Sequence, residues 1–231
     1  MIATETPPRR RRRKLRAVAT LLILAGVLVL ADVAVTLAWQ EPLTGAYAAW
    51  RQRGLEDRLA ELERAPQPSQ ERRVLAKVPD RRRRLALEAR ALARRSAPGD
   101  PVGRLRIAAV GLRTVVVEGT EPGELRDGPG HYPDTVLPGE RGTVALAGHR
   151  TTYGAPFRHL DALDRGDRID VDTPYGAFTY RVDDTRIVPA TAVGVVGRKA
   201  YDRLVLTACH PLFSASERIV VSARLERSVP A

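Results

Sequence analysis

Between Ala17 and Trp39 the chain runs for 23 residues with a single charged side chain, Asp32. Such a run makes about 35 Å of helix at 1.5 Å per residue, and crossing a bilayer core takes about 20 residues. The apolar core of a secretory leader is shorter, about 7–15 residues. The sequence therefore predicts a retained transmembrane helix over 17–39. Asp32 lies toward its far end, where the carboxylate reaches the headgroups and escapes the full cost of about 2.5–3.5 kcal/mol for a charge at mid-membrane. Arg9 to Arg13, Lys14 and Arg16 place seven positive charges directly before the span. The positive-inside bias holds residues 1–16 in the cytoplasm as a basic tail and sends everything after Trp39 outside. Trp39 and Tyr47 are expected at the outer interface.

The net charge of +11 suggests a nucleic-acid partner until it is divided along the chain. Residues 1–16 carry seven basic groups against one acid, residues 41–100 fourteen against nine, and residues 101–231 seventeen against sixteen. The last segment is nearly neutral and has no basic stripe with interleaved aromatics, so a phosphate-tracking surface is excluded.

Residues 43–63 place Leu43, Tyr47, Trp50, Leu55, Leu59 and Leu62 at mostly helical spacing, ended by Pro66 and Pro68. A second Arg- and Ala-rich helical stretch covers about 71–96, with a kink expected near Pro79. Together, residues 40–100 read as an extracellular helical stalk, solvated and holding the next domain off the membrane. From residue 101 the texture changes to short β-branched runs between Gly, Pro and Asp: RLRIAAV, RTVVVEG, GTVALAGH, RIDVDTP, GAFTYRVDDTRIV, RLVLTAC and RIVVSARL. Residues 101–231 are thus predicted to be all-β, a sandwich or barrel with TVALA and LVLTA buried on both faces. Helical turns are expected only near Glu121–Arg126 and Phe157–Leu163.

Cys209 is the only cysteine, which rules out an intramolecular disulfide and a thiolate metal cluster. It ends the apolar run LVLTA and meets His210 and Pro211, at a strand end suited to a reactive thiol. A thiol with an ordinary pKa near 8.5 is mostly protonated at neutral pH, so a nucleophilic Cys needs an imidazole or cation beside it. His149 ends the run TVALAG as Cys209 ends its own, and adjacent strands would bring the two ends together. His131, in GPGHYPDT, is the second choice, as a residue lining the site. His210 would point to the opposite face, and His159 reads as a surface turn. An oxyanion formed by thiolate attack needs donors, and Arg218 would return beside Cys209 if RIVVSARL ran antiparallel to LVLTA. The dense acids Asp161, Asp164, Asp167, Asp170 and Asp172 read as a solvated face, so no metal is expected.

The segments AGHRTTYGAPFRHLDAL (147–163) and LTACHPLFSASER (206–218) resemble the sortase family, and within it the class E housekeeping sortases of GC-rich Gram-positive bacteria. GPGHYPDT and LPGERGTVALAGHR add to the likeness, which covers about 101–225. The 35 Arg against three Lys, and the lack of Asn, agree with a GC-rich genome such as that of an actinobacterium. The resemblance implies a closed eight-stranded β-barrel and a peptide transfer that needs no cofactor. Cys209 would attack the Thr–Gly carbonyl of a surface protein's C-terminal LPXTG-like or LAXTG signal, and a peptidoglycan precursor amine would resolve the thioester. His149 would be the acid/base and Arg218 the oxyanion donor. Tyr153, His131, Thr207 and Ala208 would meet substrate, with the loop from Val188 to Lys199 recognising the signal. The family's TLXTC becomes Val205, Leu206, Thr207, Ala208 and Cys209 here, which bears on fine substrate contacts. The alternatives are a pilin-polymerising sortase, whose usual second membrane segment is missing from the polar SARLERSVPA, and a membrane-tethered β-barrel binding module with a buried Cys209.

Overall fold

The computed structural model of the chain describes residues 9–39, 42–66 and 68–231. Two units divide at Pro42 and Leu43. The first contains helix α1, Arg9–Trp39. Its stretch Arg13–Ala34 is long and apolar enough to cross a membrane, with every described side chain exposed. Residues 1–8 of the expected cytoplasmic tail, and the side chains of Trp39 and Leu43, lie outside the described residues.

In the second unit, eight strands close a barrel. They are β1 (Pro101–Ile107), β2 (Leu112–Glu118), β3 (Gly130–His131), β4 (Thr143–Ala147), β5 (Arg168–Thr173), β6 (Gly176–Pro189), β7 (Arg203–His210) and β8 (Glu217–Pro230). Around the barrel the order is β1-β2-β3-β4-β7-β8-β6-β5, closed by antiparallel pairing of β1 with β5. Seven strands coincide with the β-branched runs. The eighth, β3, is only two residues long and pairs through Gly130 and His131, too short to give a periodic signal.

Side chains alternate across each strand. Val144 and Leu146 of β4, Leu204, Leu206 and Ala208 of β7, and Ile219, Val221 and Ala223 of β8 fill the interior with Phe178 and Tyr180. Ala145, Val205 and Val220 face outward, yet they too are fully buried. They are covered by Tyr132, by Val188 at the end of β6, and by Val195 and Val196 from the β6–β7 connection, which holds a 3-10 turn at Val193–Val196. This cover is why TVALA and LVLTA show no alternation of apolar and charged positions.

The region before the barrel corrects the expectation of a solvated stalk. Helices α2 (Pro42–Arg64), α3 (Ser69–Ala76) and α4 (Arg81–Arg95) form where helical periodicity indicates them, with the chain broken between α3 and α4 around Pro79. Asp80 caps α4 by accepting from the Arg83 N–H at 2.7 Å. Leu85, Ala89 and Leu92, spaced four and three apart, are buried in the main core, a stabilisation of about 1.5–3 kcal/mol for each leucine. Ala48, Gln52, Leu55 and Leu59 form one face of α2, and the two leucines pack on Val115 and Val117. Gln52 acts as a missing strand for β2. Because β3 pairs only with Val117 and Glu118, Val115 lacks a strand neighbour on that side. The Gln52 amide accepts from the Val115 N–H at 2.7 Å and donates to the Val115 carbonyl at 3.1 Å. Composition alone could not distinguish this docked helix from a solvated one, because its outer faces carry the charge.

Candidate active site

β4 and β7 run parallel, with Ala147 beside Thr207, and the ladder continues through the Gly148 N–H to the Thr207 carbonyl at 3.1 Å. β4 ends at Ala147, so His149 follows two residues beyond that rung, as Cys209 lies two residues beyond Thr207 on β7. β8 returns antiparallel and pairs Cys209 directly with Arg218, and β6 pairs Arg218 with Val188. Directly opposed residues have Cα atoms about 4.5–5.5 Å apart and project from the same face. Cys209, Arg218 and Val188 therefore form one row across β7, β8 and β6, and His149 follows the end of β4, the strand on the other side of β7. The row lies on the outer face, at the end of the apolar floor made by Ala145, Val205 and Val220.

Each member is half-buried. Burial lowers the His149 pKa below its ordinary value, and the nearby Arg126 guanidinium lowers it further. The Tyr153 ring lies 5.3 Å from the His149 ring, and Arg126 stands over the other ring, that of Tyr153, at 5.8 Å. Tyr153 has φ of 51°, a left-handed conformation that side chains resist. Gly148 carries no Cβ because one would meet the Phe157 ring at 2.6 Å. Phe157 also returns its N–H to the His149 carbonyl at 2.9 Å, so the turn after β4 wraps a buried ring. Arg218 donates from Nη1 to the carbonyls of Ala215 and Glu217, both at 2.9 Å.

The other sequence candidates fall in different places. Thr207 is on the outer face two residues before Cys209, and its hydroxyl bonds the Tyr132 phenol at 3.0 Å. Ala208 requires a correction, because its methyl faces the barrel interior and cannot line the outer floor. His131 requires another. It is 2% exposed, with Nδ1 2.8 Å from the Glu118 carboxylate and Nε2 3.1 Å from the Val136 carbonyl. Its strand position opposite Leu146 turns it inward, so it is a core residue that ties β3 to β2. His159 is exposed ahead of a 3-10 turn. His210 presents Nδ1 to Arg150 Nη1 at 3.1 Å.

Three further residues were not singled out by the sequence. Arg150, 2% exposed, donates twice to the Arg158 carbonyl at 3.2 Å and pairs with Asp161 at 2.9 Å. It thereby bridges the turn after His149 to the segment after Cys209. Arg203 fixes the β6–β7 connection by donating to the carbonyls of Val195 at 2.8 Å and Gly197 at 2.9 Å. Tyr132 links that covered floor to Thr207. Among 35 arginines, nothing in composition marks these two; the only signal was Arg150 following the His.

Cys209 and Arg218 face each other on adjoining strands of a closed eight-stranded barrel, and His149 follows the end of the strand next to that of Cys209. The Sortase domain model matches residues 105–226, and the chain belongs to the sortase family. It is 35% identical to Sortase D of Bacillus subtilis (strain 168) over 49% of this chain and 56% of that protein. It is 27% identical to Sortase SrtE1 of Streptomyces coelicolor over 93% of this chain and 58% of that protein. The chain thus spans little more than half the length of these curated relatives. The structure of sortase E from Streptomyces avermitilis superposes with a TM-score of 0.53 at 33% identity, covering 58% of this chain and 93% of that one.

Proposed function

We propose that the chain is a membrane-anchored transpeptidase of the class E kind that cleaves a C-terminal LAXTG- or LPXTG-like sorting signal between Thr and Gly. The observation that carries this is Cys209 paired with Arg218 at the end of a covered apolar floor, with His149 following the end of the neighbouring strand. In the first half-reaction the Cys209 thiolate bonds to the Thr carbonyl carbon. The C–N bond to Gly breaks, and the His149 imidazolium gives its proton to the leaving amine. In the second, an amine of a peptidoglycan precursor attacks the thioester, its proton returns to His149, and the thiolate is released. Arg218 offers N–H donors to the oxyanion in both steps. Tyr153 and Thr207 flank the approach to Cys209, and the segment from Val188 to Lys199, which covers the apolar floor, would border the path of an extended signal peptide.

α1 is the membrane anchor in this reading, in contact with lipid. Residues 1–16 are cytoplasmic, residues 17–39 span, and residues 40–231 are extracellular, with surface proteins and wall precursors as partners. Two relatives point to different classes. SrtE1 aligns over nearly the whole chain, and Sortase D is the more identical over half of it. Peptide preference decides between them. The full chain in detergent is incubated with LAXTG and LPXTG peptides and a diamino-acid or glycine amine, and products are read by mass spectrometry. Cleavage after Thr with transfer to the amine, lost in Cys209→Ala and His149→Ala, is the expected result. A folded protein that forms neither thioester nor product with any of these peptides would refute the reading.

A further inference from the structure

α2 reaches further than the barrel wall. At its start, the Thr44 hydroxyl accepts the Tyr153 N–H at 3.2 Å, and Ala48 lies in contact range of Gly154. Two turns on, Arg51 Nε donates to the Asp127 carboxylate at 2.8 Å, and Gln52 donates to the Asp127 carbonyl at 2.7 Å. Asp127 adjoins Arg126, whose guanidinium stands over the Tyr153 ring. Thus α2 grips both supports of the stack in which Tyr153 lies against His149. We propose that Thr44–Gln52 of α2 is a positioning part of the catalytic centre, holding Tyr153 and Arg126 so that the His149 ring is fixed beside Cys209.

This inference rests on His149 being the acid/base. Two observations indicate function over mere packing. Tyr153 keeps a left-handed backbone, which persists only where its surroundings hold it. Thr44 and Ala48 meet that residue and the next one, not an arbitrary part of the loop. The groups around His149 define the electrostatics. Cys209 lies on β7, the strand beside β4, Arg218 lies on β8 beyond it, and Tyr153 and Arg150 come from its own loop. The Arg150 guanidinium is committed to the Arg158 carbonyl, Asp161, the Cys209 carbonyl and His210 Nδ1, and that of Arg51 to Asp127. Arg126 is the cation placed against the Tyr153–His149 stack, and it favours the neutral imidazole.

The test uses the full chain in detergent, since cutting back to residue 80 would also strip Gln52 from β2. Thr44→Val removes the acceptor and keeps the shape. It should lower kcat on the order of tenfold, with KM and Tm little changed. Arg126→Leu should move the limb of the kcat/KM profile that His149 sets to higher pH, because the imidazolium loses a repelling cation, and Arg126→Lys should restore the limb. If both Thr44→Val and Arg126→Leu keep the kcat and profile of the parent, the inference is overturned. It is also overturned if activity falls only in step with Tm and Lys fails to restore the limb. Retained turnover in His149→Ala would instead remove the acid/base assignment, and this inference with it.

Discussion

Replacing Arg150 by Met isolates the contribution of a buried guanidinium that touches no substrate in the proposed mechanism. Met keeps the apolar stem and deletes the head. The loss includes two donations to the Arg158 carbonyl at 3.2 Å, the contact with His210 Nδ1 at 3.1 Å, and the 2.9 Å pair with Asp161. Asp161 is exposed enough to regain water, so its share is small, about 0–1 kcal/mol. The Arg158 carbonyl and His210 nitrogen are part-buried, and leaving such acceptors unpaired costs about 1–3 kcal/mol each. The sum is about 3 kcal/mol after partial relaxation. For a folded unit of this size each kcal/mol moves Tm by about 2–4 °C, so the melt should fall by about 6–12 °C, read by near-ultraviolet circular dichroism. Because the bridge also joins the turn after His149 to the segment after Cys209, kcat should drop on the order of tenfold in peptide cleavage. Arg150→Lys should rescue little, because one ammonium cannot serve acceptors on several sides. A melt within about 2 °C of the parent would show that the bridge does not hold these segments, and would refute the reasoning.

Gly148→Ala should destabilise the domain by about 1–3 kcal/mol in denaturant titrations, because the new methyl meets the Phe157 ring at 2.6 Å; an unchanged midpoint would mean that the ring moves freely. Arg203→Met should raise KM for the sorting peptide several-fold more than it lowers kcat, since it frees the Val195–Gly197 connection and leaves the row of reacting groups intact; equal effects on both would contradict an anchoring role. His149 has its pKa lowered by burial and Arg126, so the folded chain binds fewer protons than the unfolded chain as pH falls through the ordinary histidine range near 6.5. Stability should therefore decline below that range, and His149→Gln should remove part of the decline in pH-dependent melts; an identical slope would refute the sign.

The strands of the barrel were legible because alternation and Gly/Pro punctuation are local signals, and seven of eight appear in the sequence as apolar runs. β3 was not legible, since two residues carry no period. The interior direction of His131 and Ala208 was missed for a related reason. Which face of a strand looks inward is set by its register with neighbours, and at Ala208 both faces are buried, so no polarity contrast marks the choice. The docking of α2 and α4 was missed because a charged outer face dominates their composition. The leucines that bury them, Leu55, Leu59, Leu85 and Leu92, are few and spaced as in any amphipathic helix.

By itself the sequence determined the apolar segment of α1, the β character of residues 101–231, and the kinds of group available for chemistry. Those features depend on residue type and near spacing. Only the tertiary structure decided that β4 and β7 run side by side in parallel, and that β8 opposes Cys209 with Arg218. It also decided that Gln52 of α2 completes the edge of β2, and that Thr44 bonds the loop bearing Tyr153. Apart from Cys209 and Arg218, which one turn separates, these are relations between residues about 60 to 110 positions apart. They are fixed when the closing barrel satisfies its backbone groups and buries both faces of its central strands, a condition of the whole fold that no local window contains.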